Sequence, residues 1–264
     1  MQNIYDLEKH TLQGVNVYFD PDKHKYYIGG KEVMGVTKSA DMAADTNYKT
    51  PWGASAAAKE ADKIFAQKRV DELLREKYFD RIRYAWLTAL REGGAYGNIT
   101  HAFLEKYSKW KLGQLDEPPE KLDSSSINKT AKSFTDWAKK NKIIWTAAEQ
   151  VVMYQDLDKG FRYCGTLDIR FEINGLKAIG DFKTGKKIGV NHAWQLAMYA
   201  MAVEQCFDER IDLLYLFHLP KPGGRKKIKV VKFSRDQFCW EMAPYLARLR
   251  AEEFKIKKAM KDRG

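Results

Sequence analysis

Within I-G-D-F-K-T-G-K-K (179–187) a carboxylate and an amine stand one residue apart, Asp181 and Lys183, flanked by the apolar Ile179 and Phe182. Residues two apart on an extended strand face the same side, so the acid and the ammonium share a face. A second acid, Asp168 in G-T-L-D-I-R-F, lies on the preceding apolar run. Asn174-Gly175 joins the two runs, and Asn-Gly between alternating segments is the strongest short-range hairpin signal. Pairing of these runs brings both carboxylates to the same end of neighbouring strands. Two acids so placed repel, and burying them without a counter-charge is costly. A divalent cation resolves the conflict, since Mg²⁺ takes oxygen ligands and uses one or two protein carboxylates together with substrate phosphate. The chemistry expected of such a group is metal-assisted hydrolysis of a phosphodiester, with Lys183 touching the scissile phosphate and the attacking water. Taken alone, D-F-K reads rather as a surface ion pair, which contributes about 0–1 kcal/mol.

The elements needed to position this group are legible on either side of it. Residues 15–37, VNVYFDPDKHKYYIGGKEVMGVT, alternate aromatic and polar positions about Gly29-Gly30 and predict a β-hairpin within a first region, 1–50. A helical part follows over 51–142, where Ala, Leu, Lys and Glu recur at helical spacing from Trp52 to Leu112, with a break expected at Gly93-Gly94. After the loop LGQLDEPPEKLDSSS, Ser126 is expected to cap a helix that places Ile127, Ala131, Phe134 and Ala138 on one face. Over 143–233 the pattern changes to strands: WTAAEQVVMY, FRYCGTLDIRFEI, LKAIGDF, the near-continuous apolar run IDLLYLFHL, and IKVVKF after a Pro-Gly-Gly turn. The helix NHAWQLAMYAMAVEQC interrupts them, and a basic amphipathic helix from about Ser234 to Met260 fills most of 234–264. The expected fold class is α/β, a mixed central sheet flanked by helices within one domain spanning 1–264.

Composition narrows the function classes. A chain of 264 residues can bury a full core, and it has no apolar run of eighteen or more for a membrane span. The opening MQNIYDLEKH carries acidic residues and neither an apolar signal core nor an Arg-rich presequence, so a cytoplasmic location is expected. Cys164, Cys206 and Cys239 are odd in number and widely spaced, which fits free thiols and cannot complete a four-cysteine metal or iron–sulfur site. No P-loop is present, which excludes an ATP-driven motor by motif. The net charge is +11, and from Arg225 to Gly264 thirteen Lys and Arg stand against five Asp and Glu. Such a surface favours phosphate polymers through counterion release, with a solvated basic face as the plain alternative.

Five ordered elements extend the D-F-K pattern: Glu149; Gly165 and Asp168; Asp181, Lys183, Thr184 and Gly185; Gln195 and Tyr199; and, upstream, G-N-I-T-H ending at His101. In this order and spacing the chain resembles the PD-(D/E)XK nuclease superfamily and, within it, the RecB-like exonuclease branch, over residues 95 to 200. The resemblance implies a restriction-endonuclease-like sheet and a Mg²⁺-dependent DNA exonuclease, with Mn²⁺ substituting and no iron–sulfur cluster. It implies Asp168 and Asp181 as metal-binding acids, the Phe182 carbonyl and His101 as further metal ligands, and Lys183 as the catalytic lysine. Glu149 matches an acid of the first core strand. Gln195 and Tyr199, at i and i+4 on one helix face, match the pair that supports the site or touches the DNA backbone. Glu105, one turn beyond His101, reads as an ordinary helix acid, and His192 as an incidental helix N-terminal residue.

DNA is the expected partner, held mainly through its phosphates by Lys186, Lys187, Arg225, Lys226, Lys227 and the basic C-terminal helix. Trp52, Trp86 and Tyr96 of the helical part are candidates to stack on frayed or single-stranded bases, with a place in the core as the plain alternative for most of the seven tryptophans. The phage-type resemblance adds a bacterial or phage-infected cytoplasm, a role in recombination, replication or repair, and a single-strand annealing or recombination protein as a possible partner. A structure-specific or restriction-like endonuclease on the same core, and a non-catalytic nucleic-acid-binding module, are the alternatives. Oligomeric state is open.

Overall fold

The computed structural model describes residues 4–44, 49–67, 76–185, 187–220 and 227–261. The sheet opens with an antiparallel meander of β1 (Glu8–Leu12), β2 (Val15–Asp20), β3 (Lys25–Ile28) and β4 (Lys31–Gly35). Its β3–β4 turn falls on Gly29-Gly30, both at positive φ as a tight turn requires. Gln13-Gly14, also at positive φ, make the turn that adds β1 to the expected hairpin. Then come α1 (Val36–Ala40), α2 (Lys49–Gln67), α3 (Glu76–Arg83), α4 (Ala85–Lys111) and α5 (Ser125–Lys140).

The main strands are β5 (Ile144–Asp156), β6 (Phe161–Ile173) and β7 (Leu176–Lys183), followed by α6 (Val190–Phe207), β8 (Leu213–His218), β9 (Lys229–Ser234) and α7 (Tyr245–Lys261). The strands form one mixed sheet in the order β1-β2-β3-β4-β6-β7-β8-β9, with β5 antiparallel on β6. The α/β class with helices flanking a mixed sheet is therefore the observed architecture. The β6–β7 hairpin turns on Asn174 and Gly175, at φ 52° and 76°.

Alternation along the strands sends neighbouring side chains to opposite faces. On one face Ile179, Leu214 and Leu216 pack with Leu196, Ala200 and Val203 of α6. On the other, Ala178, Phe182 and Phe217 pack with Ala131, Phe134 and Ala138 of α5. The Phe134 ring meets Phe182 edge-on at 4.6 Å and Phe217 at 4.9 Å between centroids. All six residues of β8 are buried, as expected of its apolar run at the centre of the sheet.

Three expectations are corrected. The break at Gly93-Gly94 is absent: α4 runs through both glycines for 27 residues, each costing roughly 1 kcal/mol against alanine without ending the helix. The cap of α5 is Ser124, whose hydroxyl accepts the Ile127 amide at 3.5 Å, while Ser126 sits inside the first turn and hydrogen-bonds Ser124. The C-terminal helix begins at Tyr245 rather than near Ser234, because the chain first folds inward to bury Trp240 and then meets Pro244, which a helix interior excludes. The Pro-Gly-Gly turn lies outside the described residues.

Candidate functional site

The site occupies a notch in the sheet created by β6. This strand pairs in parallel with β4 at Met34↔Tyr163 and Gly35↔Cys164, and antiparallel with β7 only from Ile169↔Gly180 onward. Between these ladders, residues 165–168 face an opening between β4 and β7. The β7 strand is carried past the end of the β6 ladder by its parallel pairing with β8 through Lys183↔His218. Across the opening, Asp168 takes over the role of a ladder partner, its Oδ2 accepting the Phe182 N–H at 2.6 Å. Gly165 lets the notch close from behind: a Cβ there would sit 2.6 Å from the Tyr199 ring and 2.7 Å from Val36.

Asp181 is buried and shares its face with Lys183, as the strand period requires. Lys183 Nζ donates to Asp181 Oδ1 at 2.9 Å and to Gln195 Oε1 at 3.0 Å. Asp181 Oδ2 is 2.7 Å from the same nitrogen but receives no well-directed hydrogen bond, leaving a buried carboxylate oxygen with unused acceptor capacity. Burial raises the Asp181 acid, the Lys183 ammonium opposes that rise, and Asp168 reinforces it. Gln195 passes the network on, its Nε2 donating to Thr37 Oγ1 at 3.2 Å. The K-T-G segment is pinned by Leu219 N–H on Lys183 O at 2.9 Å and by His218 Nε2 at 2.7 Å from Gly185 O.

Helix α4 closes the other side. A Cβ on Gly97 would stand 2.9 Å from Thr184 Oγ1, so a glycine is what allows the helix to approach this closely. One turn on, His101 Nδ1 lies 3.7 Å from Asp168 Oδ2 and its ring stands edge-on to Phe182. Glu149 faces Asp168 from β5, where Ala148↔Ile169 and Gln150↔Leu167 bracket the pair, and it holds the left-handed φ of 46°. That conformation is strained for a non-glycine residue, and such strain concentrates at functional sites. Burial first, then the neighbouring Asp168 and Glu105 carboxylates, push the Glu149 acid up to about 9. Glu105 itself is paired with Lys109 at 2.6 Å.

The structure thus brings Asp168, Asp181, Lys183, Glu149, Gln195, His101 and the Phe182 backbone to one place. Tyr199 lies beneath this group: its ring is buried under Gly165, its hydroxyl is a hydrogen-bond partner of Gln195, and burial, with Asp181 and Asp168 nearby, raises it well above the usual phenol range. His192 caps its own helix, Nδ1 accepting the Gly189 N–H at 3.1 Å, and burial with nearby Lys183 pushes it down to about 4. Tyr96 is half-buried, with its hydroxyl tied to Thr130 at 2.6 Å and to the Pro220 carbonyl at 3.3 Å. Lys187 and Lys227 are exposed, whereas Lys186, Arg225, Lys226 and the side chain of Trp52 lie outside the described residues. Sequence spacing missed Thr37, which is 158 residues from its partner Gln195, and it missed His218, which is read only as part of an apolar strand.

Two carboxylates, a backbone carbonyl and an imidazole beside them form a donor set that fits a hard divalent cation, and the unused Asp181 oxygen is where such charge is wanted. Among the described residues no three His, Cys, Asp or Glu side chains are grouped at metal-holding distance. Mg²⁺ itself keeps several waters and asks for one or two carboxylates. No family model matches this chain, and no curated protein matches it. Among solved structures, it is similar to a Eubacterium rectale protein provisionally assigned as an exonuclease, with a TM-score of 0.37 and 16% identity over 60% of this chain and 68% of that one. It is also similar to SSO0001, with a TM-score of 0.32 and 14% identity over 48% of this chain and 59% of the other. Likeness at this level leaves function to be argued from the site's own groups. Among the described residues no helix is long and apolar enough to cross a membrane.

Proposed function

We propose that this chain is a Mg²⁺-dependent deoxyribonuclease of the RecB-like type, hydrolysing phosphodiester bonds from DNA ends, with Mn²⁺ able to substitute. The observation that carries the reading is the Lys183 ammonium held between Asp181 and Gln195, opposite Asp168 across the open notch. Asp168, Asp181 and the Phe182 carbonyl would hold the cation with His101 and Glu149 beside them, and the cation would supply Lewis-acid charge to the phosphate. Lys183 has three N–H donors and spends two on Asp181 and Gln195, leaving one for the scissile phosphate or the approaching water. Its fixed positive charge meets the negative charge that develops at phosphorus. Water attacks phosphorus, the bond to the leaving sugar oxygen breaks, and that oxygen takes up a proton. Exposed Lys187 and Lys227 add phosphate contacts that hold the strand without reading its sequence.

The test is incubation of the purified protein with end-labelled linear DNA and with covalently closed circular DNA, in Mg²⁺ and in chelator. Degradation of the linear form alone, dependent on metal and lost in Asp181→Asn with DNA binding retained, is the expected result. Cutting of closed circles would replace the exonuclease reading with an endonuclease. Absence of cleavage in both Mg²⁺ and Mn²⁺, or equal cleavage by Asp181→Asn, would overturn catalysis at this site.

A further inference from the structure

We propose that the N-terminal half of α4 is a single-strand path, on which Trp86 and Leu90 receive the bases of a DNA strand entering or leaving the notch. The inference rests on the nuclease reading and adds to it a binding surface outside the catalytic group. Two contacts fix which side of α4 faces the site: Gly97 against Thr184 and His101 beside Asp168. At 3.6 residues per turn, Gly94, Leu90 and Trp86 lie within about 60° of His101 around the helix axis. At 1.5 Å per residue, Leu90 stands about 16 Å and Trp86 about 22 Å along the axis from His101. The stripe that touches the site therefore continues straight out of it.

That stripe is built as a floor. A side chain added at Gly93 or Gly94 would meet no described residue within 4 Å, so among the described residues the helix backbone there is uncovered. Beyond the glycines, Trp86 is 40% and Leu90 54% exposed, two large apolar side chains one helical turn apart on the same face. The packing partners of this helix reach the base of the stripe and go no further along it: a Cβ on Gly53 of α2 would stand 4.0 Å from Trp86 Cβ, and Ala85, Thr88, Ala89 and Glu92 line a recess with Ser55, Lys59 and other residues of α2 and α3. Beyond that contact, the outer parts of Trp86 and Leu90 are what the helical part leaves exposed along the stripe among the described residues.

Chemistry selects the occupant. An indole offers a flat face on which any base stacks, and stacking is tolerant of sequence, as an enzyme that degrades DNA requires. Bases inside a duplex are already stacked on one another, so the face suits an unpaired strand. Exposed Arg91 flanks the stripe, and residues 49–111 carry thirteen Lys and Arg against eight Asp and Glu, a balance that favours a polyanion over an acidic-seeking or neutral partner. Leu90 supplies an apolar edge between the indole and the notch.

The experiment measures binding without cleavage, in the Asp181→Asn protein, by anisotropy of a labelled single strand of about twelve nucleotides and of a blunt duplex hairpin. Adding Trp86→Ala is expected to weaken single-strand binding about five- to fifty-fold, from the loss of one stacked base, and to change duplex binding less than two-fold. Trp86→Phe should restore most of the affinity. Gly94→Glu, which places a carboxylate over the open floor while leaving the packed side of α4 untouched, should weaken single-strand binding as well. Unchanged single-strand affinity in both Trp86→Ala and Gly94→Glu overturns the path. So does an equal loss for strand and duplex, which marks general affinity, and so does a shift in sedimentation on Trp86→Ala with binding intact, which marks a contact between copies. An active parent enzyme with unchanged binding in these variants refutes the path alone, whereas an inactive parent refutes the nuclease reading separately.

Discussion

Replacing Glu149 with glutamine should make the metal-free protein more stable while impairing its chemistry. In the unfolded chain this acid ionises at 4.5, and in the fold it is pushed to about 9 by burial and by Asp168 and Glu105. Between those values the folded protein keeps a proton that the unfolded chain releases, so stability is fully present below 4.5 and declines as pH rises toward 9. Each pH unit within that window costs about 1.4 kcal/mol, and at pH 7 the sum is about 3 kcal/mol, reduced to about 2 by the solvent that reaches a half-buried side chain. Glu149→Gln has a similar shape and no proton to lose. Urea unfolding in chelator at several values between about pH 5.5 and 8 should show the parent losing stability with pH and the variant losing roughly one proton's worth less. At pH 7 the variant should be the more stable by about 2 kcal/mol. Parallel stability curves for the two proteins would show that Glu149 is not the strained, protonated acid described above, and the electrostatic account of the notch would fall with it.

Three further outcomes are expected. Mg²⁺ should raise the unfolding midpoint of the parent, by about 2.7 kcal/mol in free energy at a hundred times its dissociation constant, and Asp168→Asn should remove that rise in differential scanning calorimetry. Gly97→Ala, whose Cβ would press on Thr184, should slow cleavage about ten-fold by displacing the K-T-G segment, an effect equivalent to about 1.4 kcal/mol, with the far-ultraviolet spectrum unchanged; full activity would show that Thr184 yields freely. Thr37→Val should lower kcat more than it alters KM, Thr37→Ser should recover it, and neither change should matter once Gln195 is alanine. Additive losses in that double-mutant cycle would separate Thr37 from the lysine.

Strand content and the hairpin that carries the acids were legible because their signals are local: the Asn174-Gly175 turn, the alternation through F-R-Y-C-G-T-L-D, and the unbroken apolar run of β8. The placement of Asp181 beside Lys183 followed from the two-residue period alone. What the chain conceals are arrangements decided by distant partners. Nothing near Gly93-Gly94 reports that the helix continues, because its continuation depends on packing along its length and on the approach of Gly97 to Thr184. The late start of α7 depends on Trp240 finding a buried place before Pro244. The left-handed conformation of Glu149 has no local signature in its residue types, and the Thr37–Gln195 bond joins positions 158 residues apart, beyond the reach of any spacing rule.

The two register pairs that attach β4 to β6 join positions on either side of roughly 130 residues of intervening chain, a closure whose entropic cost exceeds that of any hairpin in the sheet. Strands β5, β6 and β7 can zip locally, whereas the meander must search for its edge. Thr37 follows that seam by two residues, so the lysine receives its last support only when the most distant docking step is complete. Assembly of the Asp168–Asp181–Lys183 group and completion of the tertiary structure are in this way the same event, and a partly folded chain carries acids and an amine that are not yet held together.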